Sequence, residues 1–174
     1  MCSPTGNIKL FVIDVDGTLT DGSIYYDQYG NEMKRFCVRD GAAFNVAHLA
    51  GYKIMFLTGR EAASTEKRAN ELKIDYVFQG VRNKSSFLSA FVDENDYSFD
   101  QLCYIGDDIN DLKVMHLCGY VACPLDASKD VKKVADYISV IRGGDGAVRD
   151  IIEHIMIKNG QWEEIICNSE ENKI

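Results

Sequence analysis

The amino-acid sequence predicts an α/β protein with a doubly wound, mostly parallel sheet, in the manner of a Rossmann-like core. Short apolar runs alternate along the chain with segments in which apolar residues recur at helical spacing. The chain has 174 residues, of which 46% are hydrophobic, and this is enough to bury one ordinary core. Only 2 residues are prolines, and no tract is of low complexity. We therefore expect a single domain over residues 1–174, with its core at about 8–157.

The first predicted elements are a buried strand and a hairpin. Residues 8–13 form a continuous apolar run, which is typical of a strand buried on both faces. Two β-prone arms, 23–26 and 32–38, flank the turn-rich residues 27–31 and predict a hairpin over about 23–38. Because an isolated hairpin is marginally stable in water, we expect this one to pack against another surface.

The rest of the chain alternates helices with short strands. The predicted helices are 41–50, 61–72, 84–92, 109–117, 128–134 and 146–157, and the predicted strands are 53–57, 76–78, 102–105, 120–122 and 137–140. This order gives βαβ units, whose crossovers are right-handed and place helices on both faces of a parallel sheet. No element is predicted for the C-terminal tail, 160–174, which we expect to be mobile or docked elsewhere.

Charge and cysteine usage exclude several function classes. The chain carries 27 acidic and 19 basic residues, a net charge of −8, which disfavours a nucleic-acid partner because the phosphate backbone requires a basic face. Its apolar runs are too short to span a bilayer, and its first residues lack the apolar segment of a secretory signal. Six cysteines without a C-x-x-C pair predict reduced thiols. We expect a cytoplasmic protein with neither nucleic acid nor membrane as a partner.

Unusual polar residues stand where predicted strands end. They are Asp14 and Asp16 after the first strand, Thr58 and Gly59 after strand 53–57, and Asp107, Asp108 and Asp111 after strand 102–105, while Lys84 begins a helix. Ligands of such sheets bind at the carboxyl ends of the strands. Several carboxylates at one edge repel each other, and Mg²⁺, which takes oxygen ligands, relieves that repulsion. The pattern therefore predicts a magnesium site at this edge.

Each of these residues also has an ordinary structural interpretation. An isolated D-x-D pair often caps a helix or fills a turn. Thr58 could be only a helix N-cap, Lys84 only a solvated charge, and Asp111 only a support for a helix start. The ordered set, with each member at a strand end or helix start, favours the functional interpretation.

The motifs resemble those of the haloacid dehalogenase-like phosphohydrolases. The residues that carry the resemblance are Asp14-Val15-Asp16-Gly17-Thr18-Leu19-Thr20, Thr58, Lys84 and Gly106-Asp107-Asp108-Ile109-Asn110-Asp111. The resemblance implies that Asp14 is a nucleophile that forms an aspartyl-phosphate and that Asp16 is the general acid/base. It also implies that Mg²⁺ is held by Asp14, the main-chain carbonyl of Asp16 and Asp107.

The same resemblance implies roles for the remaining motif residues. The Thr58 hydroxyl and the Gly59 amide hold phosphoryl oxygens, and Lys84 balances their charge. Asp108 and Asp111 orient water ligands and Lys84.

The spacing of the motifs leaves no room for a cap domain. Only the hairpin and one helix separate Asp16 from Thr58, and one helix and one short strand separate Thr58 from Lys84. Within the family, the chain is similar to the capless group that contains the 3-deoxy-D-manno-octulosonate 8-phosphate phosphatases. The similarity lies in residues 20–22, 36–41, 58–60 and 143–149. It implies a homotetramer in which the hairpins pack together and neighbouring subunits cover each site.

The substrate implied by this similarity is a phosphorylated 2-keto-3-deoxy sugar acid. Its carboxylate suits arginine, whose planar fork binds a carboxylate through two hydrogen bonds. Arg60, Arg68 and Arg149 are the candidate substrate-binding arginines. An arginine directly after Thr58-Gly59 looks more like the eight-carbon-acid phosphatases than the nine-carbon ones, which favours 3-deoxy-D-manno-octulosonate 8-phosphate.

Three other functions stay open. One is a phosphatase for a nine-carbon, sialic-acid-type 9-phosphate. Another is an oligomerisation or regulatory module, like the phosphatase-like domain appended to some cytidylyltransferases. The third is a capless phosphatase for phosphoproteins or nucleic-acid ends. The complete set of aspartates favours an enzyme, and the net charge of −8 disfavours nucleic acid.

Overall fold

Eight strands and seven helices make up the regular structure in the computed structural model, which describes the backbone of residues 5–172 and the side chains of residues 5–168. The strands are β1 (Leu10–Ile13), β2 (Tyr25–Tyr26), β3 (Glu32–Met33), β4 (Lys53–Leu57), β5 (Tyr76–Phe78), β6 (Leu102–Ile105), β7 (Tyr120–Cys123) and β8 (Tyr137–Ile138). The helices are α1 (Val38–Leu49), α2 (Ala63–Glu71), α3 (Lys84–Glu94), α4 (Leu112–Met115), α5 (Lys129–Val134), α6 (Ala147–Lys158) and α7 (Trp162–Asn172).

Six of the strands form one parallel sheet in the order β5-β4-β1-β6-β7-β8. Strand β1 lies at its centre, where Val12 is in register with Met55 of β4 and with Tyr104 of β6. Successive β1 side chains point to opposite faces and are buried on both, so the strand reads as an unbroken apolar run. The predicted fold class is confirmed.

Helices cover both faces of the sheet. Helices α1, α2, α6 and α7 pack with Phe11 and Ile13 of β1 on one face. Helices α3, α4 and α5 pack with Leu10 and Val12 on the other face. Each layer buries a separate apolar cluster, which makes the central strands a rigid support for whatever follows their carboxyl ends.

The turn after β1 depends on two glycines. Gly17 has a φ of 95°, which favours glycine, and a Cβ at this position would collide with the Asp107 carboxylate. A Cβ on Gly143 would collide with the Gly17 carbonyl. The 143–146 segment therefore closes tightly over the turn that carries Asp16.

Several predicted elements differ from the structure by a few residues at their ends, and the hairpin and the helix predicted over 109–117 differ most. The hairpin strands pair Tyr25 with Met33 and Tyr26 with Glu32, and beyond them Phe36 of the predicted second arm forms an isolated antiparallel bridge with Thr20. Helix α1 already begins at Val38, the last residue of that predicted arm. The helix predicted over 109–117 is reduced to α4. The residues before α4 form tight turns, in which Asp111 N donates to the Asp108 carbonyl at 2.9 Å.

The C-terminal tail forms a helix where the sequence predicted no element. Trp162 is only 7% exposed and packs with Ile165 against the α1 and α6 layer. The Arg149 guanidinium lies 4.7 Å from the centre of the Trp162 ring. The polar composition of the tail concealed this anchor, so within the described residues the tail is docked on its own core.

None of the described helices is long and apolar enough to cross a membrane. The five described cysteines carry free thiols, and Cys2 lies outside the described residues.

Candidate active site

Asp14 follows β1 directly and points into a buried cluster of charges. Its backbone N–H donates to the Ile105 carbonyl of β6 at 2.9 Å, and the residue is only 4% exposed. Burial, and next the charge of Asp111, raise the pKa of the Asp14 carboxyl to about 7, although Lys84 acts in the opposite direction. Asp14 is therefore a carboxylate whose charge requires nearby cations.

Lys84 supplies one such cation. It opens α3 after the N-cap residue Asn83, and its Nζ lies 2.7 Å from both Asp14 Oδ1 and Asp111 Oδ1. Burial lowers the pKa of Lys84, but the two carboxylates outweigh this and raise it. Lys84 is thus a buried, charged bridge between two aspartates, and the interpretation as a solvated surface charge is wrong.

Asp107 and Asp111 follow β6 and are held by hydrogen bonds. Thr18 Oγ1 donates to Asp107 Oδ1 at 2.9 Å. The Tyr104 hydroxyl donates to Asp111 Oδ1 at 2.7 Å, and Asp107 N donates to Asp111 Oδ2 at 3.2 Å. Asp111 is fully buried, so all of its contacts are fixed by the protein. Its position fits a residue that orients Lys84.

The cluster has the donor set of a hard-cation site. Carboxylate oxygens of Asp14, Asp107 and Asp111 all lie within 4.8 Å of one another. Burial raises the pKa of Asp107 to about 7, with smaller contributions from Asp111 and Asp108. Carboxylates so close together, with those of Asp14 and Asp111 buried and that of Asp107 half-buried, are the ligands that Mg²⁺ prefers. The predicted ligands Asp14 and Asp107 are thus adjacent, and the Asp16 carbonyl stays a prediction.

Thr58 joins the second aspartate to the turn after β4. Its Oγ1 donates to Asp16 Oδ2 at 3.1 Å and accepts from Arg60 N at 3.2 Å. Helix α2 begins only at Ala63, so Thr58 is not its N-cap. The structure therefore brings Thr58 and Asp16 together at the sheet edge, and Gly59 follows Thr58 in the chain.

Sequence reasoning missed two hairpin residues at this site. Lys34 forms ion pairs with Asp16 Oδ1 and, at 2.7 Å, with Glu32 Oε1. Its side chain is 2% exposed. Residues 32 and 34 are two apart in an extended arm and so point to the same side, which is the signal that could have linked them.

The three candidate arginines have different surroundings. Arg60 binds both oxygens of Glu32, with Nη2–Oε2 at 2.6 Å and Nε–Oε1 at 3.3 Å. Arg68 donates to the Cys37 carbonyl at 3.3 Å, and Arg149 donates to Glu153 at 2.7 Å. Their contacts in this chain are thus outside the aspartate cluster, and their binding of substrate stays a prediction.

Asp108 lies at the exposed rim of the cluster. Its carbonyl accepts from Asp111 N at 2.9 Å, and its side chain is exposed to solvent. The predicted role of its carboxylate in orienting water also stays a prediction.

Comparison with known proteins shows the family to which this chain belongs. A family model for haloacid dehalogenase-like hydrolases matches residues 78–151. The 3-deoxy-D-manno-octulosonate 8-phosphate phosphatase of Escherichia coli K12 is 35% identical over 158 residues, which are 91% of this chain and 84% of that protein. This chain belongs to the haloacid dehalogenase-like hydrolases. The resemblance carried by the sequence motifs is confirmed.

Several solved structures of phosphatases have a fold similar to that of this chain. The 3-deoxy-D-manno-octulosonate 8-phosphate phosphatase of Moraxella catarrhalis, solved with magnesium, phosphate and KDO, matches with a TM-score of 0.91 at 34% identity over 94% of both chains. The cobalt-bound enzyme of Haemophilus influenzae matches with a TM-score of 0.85 at 33% identity, over 90% of this chain and 91% of that one. The capless core is therefore shared along almost the whole chain.

Proposed function

We propose that this hydrolase is a Mg²⁺-dependent phosphatase that acts on 3-deoxy-D-manno-octulosonate 8-phosphate. The observation that carries the proposal is the buried Asp14, which lies between Lys84 and an acidic cluster in a fold shared with a phosphatase that binds magnesium, phosphate and KDO. The relatives at 35% identity bear the name of the same activity.

Asp14 acts first, as the nucleophile. One of its carboxylate oxygens attacks phosphorus, and the bond between phosphorus and the sugar oxygen breaks. The sugar oxygen leaves with the bonding electrons and takes a proton from Asp16, which gives a free hydroxyl. The product of this step is an aspartyl-phosphate on Asp14.

Asp16 acts again in the second step. It takes a proton from a water molecule whose oxygen attacks the phosphorus of the aspartyl-phosphate. The bond between phosphorus and the Asp14 oxygen breaks, which restores the Asp14 carboxylate and releases inorganic phosphate. Asp16 is protonated again, ready for the next substrate.

The remaining residues of the site bind the phosphoryl group and balance its negative charge. The Thr58 hydroxyl and the Gly59 N–H bind phosphoryl oxygens, and Lys84 balances their negative charge. Asp14, Asp107 and the Asp16 carbonyl would hold Mg²⁺, which would neutralise negative charge during the reaction.

We further propose that the enzyme is a homotetramer and that it is located in the cytoplasm. The hairpin exposes a group of large apolar side chains, namely Ile24, Tyr25, Tyr26, Tyr29 and Met33. Exposed apolar patches on hairpins favour association, and a capless site gains from a neighbouring subunit that excludes water. The free thiols of the described cysteines suit a reducing compartment.

A phosphate-release screen over sugar-acid phosphates tests the proposed function. Mg²⁺ should support turnover of 3-deoxy-D-manno-octulosonate 8-phosphate, and excess chelator should abolish it until Mg²⁺ is restored. Ca²⁺ should support turnover poorly, because its larger and looser coordination misplaces the reacting groups. Full activity in excess chelator would contradict the proposed metal site.

A further inference from the structure

The hairpin delivers a buried lysine to the second aspartate of the site. Lys34 follows β3, and its ammonium group pairs with both Asp16 and Glu32. Lysine side chains are rarely buried unless they are paired, because an ammonium group loses its hydration there. A lysine side chain that is only 2% exposed therefore depends on both carboxylates.

The two carboxylate oxygens of Asp16 have different partners. Oδ1 contacts Lys34 on the hairpin side, and Oδ2 accepts the Thr58 hydroxyl at 3.1 Å on the phosphate-binding side. Lys34 thus anchors one oxygen and leaves the other directed toward the turn that begins at Thr58. An acid/base that is fixed in this way is oriented before the substrate arrives.

Lys34 is itself held in place from the far side. Glu32 accepts from Arg60 at 2.6 Å and 3.3 Å, and its main-chain carbonyl accepts from Ser64 Oγ at 3.2 Å. Hydrogen bonds from Arg60 first, and then from Lys34, hold the pKa of Glu32 at about 2. Arg60, Glu32, Lys34 and Asp16 form a continuous chain of alternating charges from the rim to the reaction centre.

We propose that Lys34 is a positioning residue for Asp16, with the Glu32–Arg60 ion pair as its anchor. The inference rests on the proposed function, in which Asp16 protonates the leaving oxygen. Loss of Lys34 should then harm substrates that need this proton more than those that do not. A phenolate leaves poorly without a proton, whereas 4-nitrophenolate leaves readily because its nitro group delocalises the charge.

The test compares kcat/KM for phenyl phosphate and 4-nitrophenyl phosphate with Mg²⁺ in wild type and Lys34→Met. General acid catalysis typically contributes about a hundredfold or more, so the variant should lose about that factor on phenyl phosphate. It should lose less than about fivefold on 4-nitrophenyl phosphate, which needs little protonation. Lys34→Arg, which keeps the cation, should recover much of the activity on phenyl phosphate.

Controls separate positioning from folding. Lys133→Met removes an exposed lysine whose ion-pair partner is Asp130, and it should behave as wild type on both esters. If Lys34→Met does not fold, Lys34→Gln, which keeps a hydrogen-bond donor without the charge, takes its place. Equal losses on the two esters would overturn the proposal. Wild-type turnover of aryl phosphates without turnover of any sugar-acid phosphate would instead contradict the proposed substrate and leave the Lys34 comparison decisive.

Discussion

Burial and the Lys84 ammonium group act in opposite directions on the pKa of Asp14. Its pKa of about 7 reflects desolvation first and the charge of Asp111 second, while Lys84 at 2.7 Å stabilises the carboxylate. A nucleophile stripped of water attacks more readily than a hydrated carboxylate, provided that a cation keeps it ionised. The ion pair with Lys84 therefore serves the chemistry as well as the fold.

Replacement of Asp14 by asparagine tests this role. The amide keeps the shape of the side chain but cannot form an aspartyl-phosphate, so kcat should fall by at least about a thousandfold. Thermal unfolding should show that the variant is folded, and Asp130→Asn, an exposed substitution on α5, should retain full activity. A variant that kept a tenth of the wild-type activity would refute the nucleophilic role.

Helices α1 and α6 pack together around a buried carboxyl group. Asp40 of α1 is 2% exposed, and its Oδ1 accepts from Arg149 N of α6 at 2.9 Å, while Oδ2 lacks a hydrogen-bond partner among the described residues. Burial raises the pKa of Asp40 to about 6, against the backbone hydrogen bond and the charges of Arg68 and Arg149. The junction is therefore sensitive to pH.

The sign of that sensitivity follows from proton linkage. Because the pKa of Asp40 is higher in the folded than in the unfolded state, the folded state binds more protons between about pH 4 and 6, and this residue lowers stability as pH rises. The Asp40→Asn variant lacks this loss of stability, because an amide does not titrate. Its free energy of unfolding relative to wild type should increase by about 1 kcal/mol between pH 5 and 7. Urea denaturation at both pH values measures it, and a difference that stays constant would contradict the account.

The sequence predicts best those elements whose signal is local. Strands β4, β5 and β6 have the predicted bounds, because each is a short apolar run closed by polar residues. The paired strands of the hairpin are shorter than the predicted arms, since β-propensity fixes neither the length of the ladder nor the start of α1 at Val38. Helix α7 was missed because its stability comes from Trp162 docking on the core, which is a tertiary effect.

In the candidate site too, some residues could be predicted from local sequence and others could not. Asp14, Thr58 and Asp107 are predictable because strand ends of a parallel sheet meet at one edge. The contact of Lys34 with Asp16 depends on how the hairpin folds back over that edge, and the sequence spacing does not contain this information. The engagement of Arg60 by Glu32 was missed for the same reason.

The open site and the exposed hairpin would both be covered by contact with another subunit. Tyr26 and Tyr29 are 62% and 81% exposed, which is costly for large aromatic side chains in water. A capless site also gains from a neighbour that excludes water from it. Packing of hairpins between subunits would satisfy both requirements.

Light scattering should therefore report a mass near four chains of 19.5 kDa. Ile24→Glu combined with Tyr29→Glu should give smaller species with much reduced turnover, because the added charges oppose hairpin packing. These substitutions leave Lys34 in place, which a deletion of the hairpin would not. Val140→Glu, at an apolar residue that is 73% exposed outside the hairpin, should leave both mass and turnover unchanged. An active wild-type monomer would contradict the proposed assembly.

The ratio of two specificity constants tests the proposed substrate. With Mg²⁺ present, kcat/KM for 3-deoxy-D-manno-octulosonate 8-phosphate should exceed that for a nine-carbon sugar-acid 9-phosphate by at least about tenfold, or roughly 1.4 kcal/mol. Equal values, or a preference for the nine-carbon substrate, would contradict the assignment of the eight-carbon acid as the substrate.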